Sequence, residues 1–502
     1  MASDARRSRP NLLVVVLDCV RASDFPGGRD AVPAMPWTES LLTESFRFPR
    51  AVSVAPWTIP AHASLFTGLY PWEHGCHARG SLTLAPDVAR LPDQLRQAGY
   101  ATISLAANPF INSTFGLTNG FDRAGWGGWW ESYARLPRDR PPAELGSDGS
   151  GATSFLQRIR KGPLGEAMLN RMDDAYRCPF VLDGLNHVLQ GIRAPTHVGE
   201  VGVSPWIEPT LERWVKETPE EQPIFACINL VDAHEPYYAD REVIRSARDW
   251  FRYARARQDH VSYAAGEWQM TPERAEVLHA LYRRSIQTVD RRLRRMAEIL
   301  ERAGRWESTA MVLTSDHGQA FGEHDVLFHM FRPDDPELRI PLIYRPPDRV
   351  PGREAVGWAS LIDVAPTLLA VASTEPSAPL SGVPLPSLVE TPRADPVLSM
   401  SDGLIFGHVR TRFSPDRRSA FDRVWGVAYQ GDRKAIVEPT RAEVRVYDIA
   451  RDLAERLNLW SGPSAPADPL EQAARDVAHR MVSAVQRPPT EEVADRLRSW
   501  GY

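Results

Sequence analysis

"NLLVVVLD", residues 11–18, is an unbroken run of aliphatic side chains closed by a carboxylate. A run without polar alternation suits a parallel β-strand covered on both faces, not a half-solvated one. Asp18 then stands at the strand's carboxyl end, where open α/β sheets bind their ligands. The same pattern recurs in "ATISLAAN" (101–108), "PIFACINLVD" (223–232), "TAMVLTSD" (309–316) and "RIPLIYRP" (339–346). Between them lie helical patterns. "LPDQLRQAG" closes on Gly99, a long amphipathic segment runs from Pro272 to Gly304, and "LIDVAPTLLAVA" covers 361–372. Strands alternating with helices predict an α/β/α sandwich around a mostly parallel central sheet. Asp18, Asn108, Asp232 and Asp316 fall at strand ends. One polar residue there is an ordinary exit into water, but several converging acids with attached histidines suggest chemistry.

The 502 residues suffice for one large domain and a smaller one. We divide the chain into a catalytic domain, 1–375, and a C-terminal subdomain, 376–502. The boundary falls in the linker-like "STEPSAPLSGVPLPS", beyond which "RVWGVAYQ", "RKAIVEP" and "EVRVYDI" read as a small antiparallel sheet. "PLEQAARDVAHRMVSAVQ" and "TEEVADRLRSW" read as terminal amphipathic helices. Two stretches, about 129–205 and 240–270, interrupt the α/β alternation and read as insertions at the sheet's edge, where selectivity often resides.

Net charge is −5 with no long basic run, so no nucleic-acid partner is expected. The arginines of "YRRSIQTVDRRLRRM" (282–296) read as the solvated face of a helix. Cys19, Cys76, Cys178 and Cys227 have neither zinc-ribbon nor redox-pair spacing, which fits a reducing compartment. Leu12–Leu17 is too short for a secretory core or a membrane span. The expectation is a cytoplasmic protein without a membrane segment. No stretch specifies an oligomeric state.

The chemistry concentrates in Asp18, Thr58 and "SDHG" (315–318). Two carboxylates, a hydroxyl and an imidazole suit one divalent cation, which would lower the hydroxyl's pKa and make it a nucleophile. "TIPAHASLFTG" sets Thr58 at the start of a helix, where free N–H groups and the dipole favour an anion. Calcium, magnesium, manganese and zinc all accept mixed oxygen and imidazole ligands.

The segments "NLLVVVLDCVRAS", "APWTIPAHASLFTGLYPWEHG", "NLVDAHEPY", "TSDHGQAFGEHDVLFHM" and "YDIARDLAERLNL" resemble, in order, the sulfatase branch of the alkaline phosphatase superfamily. The resemblance spans Asn11 to Leu459. It implies Asp18, Asp316 and His317 as metal ligands, with Thr58 completing the site. It also implies that His234 and His329 contact the substrate's anionic group or protonate the leaving group, and that Asn108 reaches a substrate oxygen. His62 and His74 are expected close to Thr58 on the substrate's side, with bracing of the turn as the alternative for His74. One metal is expected. A second, held by Asp232, His234 and His329, is the alternative.

The departures from that family bear on the reaction. The signature Cys/Ser-x-Pro-Ser-Arg reads Thr58-Ile59-Pro60-Ala61-His62, and the second acid after the first strand is Cys19. Sulfatases oxidise their Cys or Ser to formylglycine, and the methyl on the threonine Cβ bars that aldehyde. A threonine oxygen can still attack phosphorus, as in the superfamily's phosphodiesterases, phosphomonoesterases and transferases. The expectation is therefore a metal-dependent hydrolase of phosphate mono- or diesters working through Thr58 and a phosphothreonine. The alternatives are sulfate-ester hydrolysis without formylglycine, a soluble phosphoryl or phosphoalcohol transferase and, last, a non-catalytic binding protein.

Overall fold

The computed structural model describes residues 9–126 apart from 34, 204–235, 266–403, 422–463 and 468–484. Short pieces are also described between 237 and 264, at 414–418, at 466 and at 490–494. The two stretches read as insertions fall largely outside the described residues, as do Cys178 and the end of the last helical segment.

The aliphatic run forms strand β1 (Asn11–Leu17), buried at every position. It pairs in parallel with Ile224–Leu230 on one side and Thr309–Thr314 on the other. Ile224–Leu230 pairs in parallel with Ala101–Ala106, which pairs in parallel with Arg123–Trp126. These strands are the parallel core of an eight-stranded sheet. Leu342–Arg345 lies antiparallel on Thr309–Thr314, so the fifth apolar run reverses direction. A parallel return needs a crossover element. The link between these two strands holds a small hairpin, Ala320–Phe321 with Leu327–Phe328, and the four-residue helix Asp335–Leu338, but no long crossover helix.

Alternation along β1 assigns the two layers. Leu12, Val14 and Val16 pack with Ile59, Leu65 and Phe66 of helix α1 (Thr58–Thr67) and with Leu368 and Leu369 of Val364–Val371. Leu13, Val15 and Leu17 pack against Leu211 and Trp214 of Ile207–Glu217 and against Leu281, Tyr282 and Leu293 of Pro272–Arg302. Each fully buried aliphatic side chain of this kind contributes about 1.5–3 kcal/mol. The result is the expected α/β/α sandwich.

The C-terminal sheet has four antiparallel strands where three were read. Val397–Ser401, between the linker and the first strand that was read, forms an edge beside Trp425–Gln430, followed by Arg433–Glu438 and Glu443–Asp448. "VLSMS" is short and half polar, so its period gave little signal. Helix Pro469–Val482 crosses this sheet so closely that a Cβ at Gly426 would sit 2.0 Å from the Ala474 carbonyl oxygen. Among the described residues no helix is long and apolar enough to cross a membrane.

Candidate active site and metal centre

The loops leaving the parallel strands at one edge of the sheet bring the predicted residues together. Asp18 directly follows β1, and Asn108 and Asp316 each follow their strand by two positions. Thr58 is the first residue of α1, after Trp57 in an extended conformation. Pro60, within the first turn, removes only an N–H that has no helical partner. The Asn108 side-chain amide donates to Asp18 Oδ2 at 2.8 Å and to Thr58 Oγ1 at 3.2 Å. Thr58 is 4% exposed, so its hydroxyl works in a site largely shielded from bulk water.

Asp18, Asp316 and His317 are all buried. His317 Nδ1 donates to the Gly318 carbonyl at 2.9 Å, which leaves a lone pair on Nε2. That buried Nε2 has no hydrogen-bond partner, nor has Oδ2 of Asp316, 3.5 Å away. Asp18 Oδ1 lies 3.9 Å from the same nitrogen. A lone pair facing two carboxylates in a dry interior is unfavourable without a positive charge between them. These donors therefore fit a divalent cation of the oxygen- and imidazole-tolerant kind.

Ionisation agrees. Burial keeps the His317 imidazole neutral by lowering its pKa. Burial opposes charge on Asp18, but His234, His317 and the Asn108 hydrogen bond outweigh it and hold its pKa below the ordinary value. Burial and the neighbouring Asp18 charge push Asp316 well up. Two carboxyls this close ionise together only beside a cation.

The His234 and His329 rings stand 5.1 Å apart, and the His329 ring lies 4.5 Å from the His317 ring. His329 Nδ1 contacts Gln319 Oε1 at 3.2 Å and Cys19 Sγ at 3.6 Å. Burial works against a charged His234, but Glu235 and Asp18 prevail and its pKa is raised. Burial and Asp18 push the Cys19 thiol well up, so it stays protonated. It holds a left-handed backbone (φ 65°) and donates to Asp18 Oδ1 at 3.4 Å. Cys19, His234, Glu235 and His329 present donor atoms within 4.8 Å of one another, a second group able to hold a metal.

Two sequence readings change here. Asp232 does not join His234 and His329 as a second ligand set. Its carboxylate pairs with the buried Arg292 at 2.7 Å, and Cys19 and Glu235 stand in that group instead. His74 has both ring nitrogens engaged within its own segment. Its Nδ1 accepts from Cys76 N at 3.0 Å, its Nε2 meets Ser64 Oγ at 3.0 Å, and burial lowers its pKa to about 3. It braces the turn after α1. His62 does reach the centre, with Nδ1 donating to the Thr58 carbonyl at 3.0 Å and lying 3.7 Å from Asp316 Oδ2. Burial lowers its pKa to about 4, so it is neutral where the sulfatase signature has a charged arginine.

Asn229 and Gln319 were missed. Asn229 donates to Asp18 Oδ2 at 3.2 Å and accepts from Asn108 N at 3.0 Å. An amide inside the otherwise apolar strand "IFACINL" was a legible signal, because a buried polar group needs partners. Gln319 directly follows "SDHG" but carries no charge, and only its contact with His329 reveals it.

Comparison with known proteins decides the family, since the sulfatase family model matches residues 10–374. The chain belongs to the sulfatase family. By that membership it is a hydrolase acting on ester bonds. An uncharacterized sulfatase of Escherichia coli (strain K12) is 24% identical over 380 residues, covering 73% of this chain and 68% of that protein. A multifunctional alkaline phosphatase superfamily protein of Trinickia caryophylli is 25% identical over 396 residues, covering 72% and 73%. In fold, this sulfatase-family chain is similar to the phosphonate monoester hydrolase of Agrobacterium radiobacter. The TM-score is 0.62 at 19% identity, with 95% of each chain covered.

Proposed function

We propose that the protein hydrolyses phosphate mono- or diesters through Thr58 and a phosphothreonine intermediate. The observation that carries this reading is the position of Thr58. Its hydroxyl opens α1 and touches the Asn108 amide that also holds the buried Asp18, its carbonyl accepts from His62, which faces Asp316, and its methyl bars formylglycine. A divalent cation held by Asp18, Asp316 and His317, with the Thr58 oxygen completing the set, would polarise the phosphoryl group and acidify the hydroxyl.

The chain's own residues supply the rest. Thr58 Oγ1 gives its proton to water and forms the new P–O bond in line with the leaving oxygen, whose bond to phosphorus breaks. Asn108 and the first-turn amides of α1 donate to the non-bridging oxygens. His234 carries a proton and delivers it to the departing alcohol, and His329 stands beside it. Water then attacks phosphorus, releasing phosphate or a phosphate monoester and restoring Thr58.

The reading assigns residues 1–375 to catalysis and 376–502 to a C-terminal subdomain, with selectivity in 129–205 and 240–270. The substrate is an anionic small-molecule ester, and the location is cytoplasmic. The match to sulfatases keeps sulfate esters as the second reading. To separate them, the purified protein is assayed with calcium, manganese, magnesium or zinc against aryl phosphate, bis-aryl phosphate and aryl sulfate. Intact mass after acid quench seeks one added phosphoryl group. Turnover of phosphate esters with that adduct, lost in Thr58→Ala, is expected. Turnover of aryl sulfate alone, or full activity in Thr58→Ala, overturns the proposal.

A further inference from the structure

His329 is held in an unusual backbone. Both of its neighbours, Phe328 (φ 69°) and Met330 (φ 100°), lie in the left-handed region that bulky L-residues avoid. Such strain persists only where the surroundings hold it in place. The Met330 N–H donates to Glu337 Oε2 at 2.8 Å, and Glu337 is 1% exposed. The Glu337 carbonyl in turn accepts from Gly318 N at 2.7 Å, directly after His317. Gly318 cannot carry a side chain, because a Cβ there would lie 2.1 Å from the Pro336 carbonyl oxygen.

One residue thus holds the loop of His317 through its backbone and the loop of His329 through its side chain. The neighbouring segment extends the hold. Leu338 O accepts from Ser53 N at 2.8 Å, and Arg339 O accepts from Ala22 N at 3.1 Å, so the approaches to Thr58 and from Cys19 rest on it too. The segment is anchored to the C-terminal subdomain. Asp335 N donates to Glu455 Oε2, and Asp335 Oδ1 accepts from Lys434 Nζ, each at 2.8 Å.

We propose that Glu337 is a positioning residue that keeps His329 in register with His317 by accepting a hydrogen bond from the Met330 amide on its carboxyl oxygen. The inference rests on the proposed reading of the site. What the bond needs is an acceptor oxygen at that reach. Burial, and then the neighbouring Asp334, push the Glu337 carboxyl well above its ordinary range, and in either protonation state an oxygen is there to accept. Glutamine reproduces this, aspartate is a methylene too short, and alanine has nothing to offer.

The test compares Glu337→Gln, Glu337→Asp, Glu337→Ala and Glu337→Ala/Met330→Gly for kcat, KM, pH profile and thermal melting on an aryl phosphate ester. Glu337→Gln is expected to keep kcat within about threefold, with the wild-type pH profile. Glu337→Asp and Glu337→Ala are expected to lose about 10²-fold in kcat with little change in KM, the usual cost of a displaced catalytic group. Glycine adopts φ 100° without strain, so Met330→Gly is expected to restore about tenfold to Glu337→Ala.

A loss in Glu337→Gln equal to that in Glu337→Asp overturns the proposal, even if Glu337→Ala does not fold. So does wild-type activity in Glu337→Ala or Glu337→Asp. Should the wild type turn over no ester, the functional reading fails separately. Crystal structures then still decide, with His329 expected to leave Gln319 in Glu337→Asp and not in Glu337→Gln. An unmoved His329 in Glu337→Asp counts against the proposal.

Discussion

Asn108 donates one hydrogen bond to the hydroxyl oxygen of Thr58 at 3.2 Å while the same nitrogen holds Asp18 at 2.8 Å. The amide ties the proposed nucleophile to the proposed ligand, so replacing it disturbs both. Asn108→Ala is expected to lower kcat by about 10²-fold, the usual cost of removing one oriented donor. Thr58→Ser is expected to keep activity and Thr58→Ala to abolish it. Steady-state kinetics on an aryl phosphate measure all three, and an unimpaired Asn108→Ala would sink the assignment.

His234 predicts the alkaline limb of the pH profile. Its pKa is raised, so the protonated form outlasts that of an ordinary histidine, and activity falls as pH rises through the raised value. His234→Gln should remove that limb. It should cost about 10²–10⁴-fold for alkyl leaving groups, which need a proton, and far less for p-nitrophenolate, which does not. Equal losses on both substrates would contradict a proton-donating role.

The orphaned His317 Nε2 and Asp316 Oδ2 predict a metal-dependent stability. Chelation should lower the melting temperature as well as activity. A cation at one hundred times its Kd should return about 2.7 kcal/mol. Asp316→Asn should abolish that return in calorimetry with the same cation. A melting temperature indifferent to chelator and to every divalent ion would refute the centre.

A second group of buried charges predicts another pH effect, on stability alone. Lys434, fully buried, binds Asp335 at 2.8 Å and Glu455 at 2.5 Å. Burial raises Glu455 to about 8, above its ordinary 4.5. An acid whose folded pKa is raised favours the folded state while protonated. Its contribution is present below about pH 4.5 and lost as pH rises towards about 8. Glu455→Gln should therefore flatten the fall of melting temperature across that window. Lys434→Met, which strands two buried carboxyls, should cost about 3–5 kcal/mol in denaturant unfolding.

The sheet was legible because its strands are covered on both faces and spell themselves as uninterrupted aliphatic runs. Leu12–Leu17 announces a parallel strand before any partner is known, and Asp18, Asn108 and Asp316 follow from knowing where such strands end. The direction of Leu342–Arg345 was not legible, since an apolar run reads the same in either sense and only the lack of a long crossover helix in the link before it decides. At the site, Thr58 and Asn108 were found from a helix start and a strand end, while Asn229, Gln319 and Glu235 were passed over. Asn229 and Gln319 act through hydrogen bonds that exist only once distant segments meet. His74 and Asp232 misled because a histidine or acid looks alike in sequence whether it faces a substrate or an internal partner such as Ser64 or Arg292.

Trp57, the residue before Thr58, donates its indole N–H to Asp402 Oδ1 at 3.2 Å, across most of the length of the chain. Asp402 immediately follows the edge strand of the C-terminal sheet, and it also accepts from Arg79 N at 3.2 Å. The consequence is one of timing during synthesis. While the chain emerges from the ribosome, the parallel core can assemble, yet the turn that presents Thr58 still lacks its outer wall. A nascent chain stalled before Asp402 should therefore stay inert, and release of the remaining residues should switch it on.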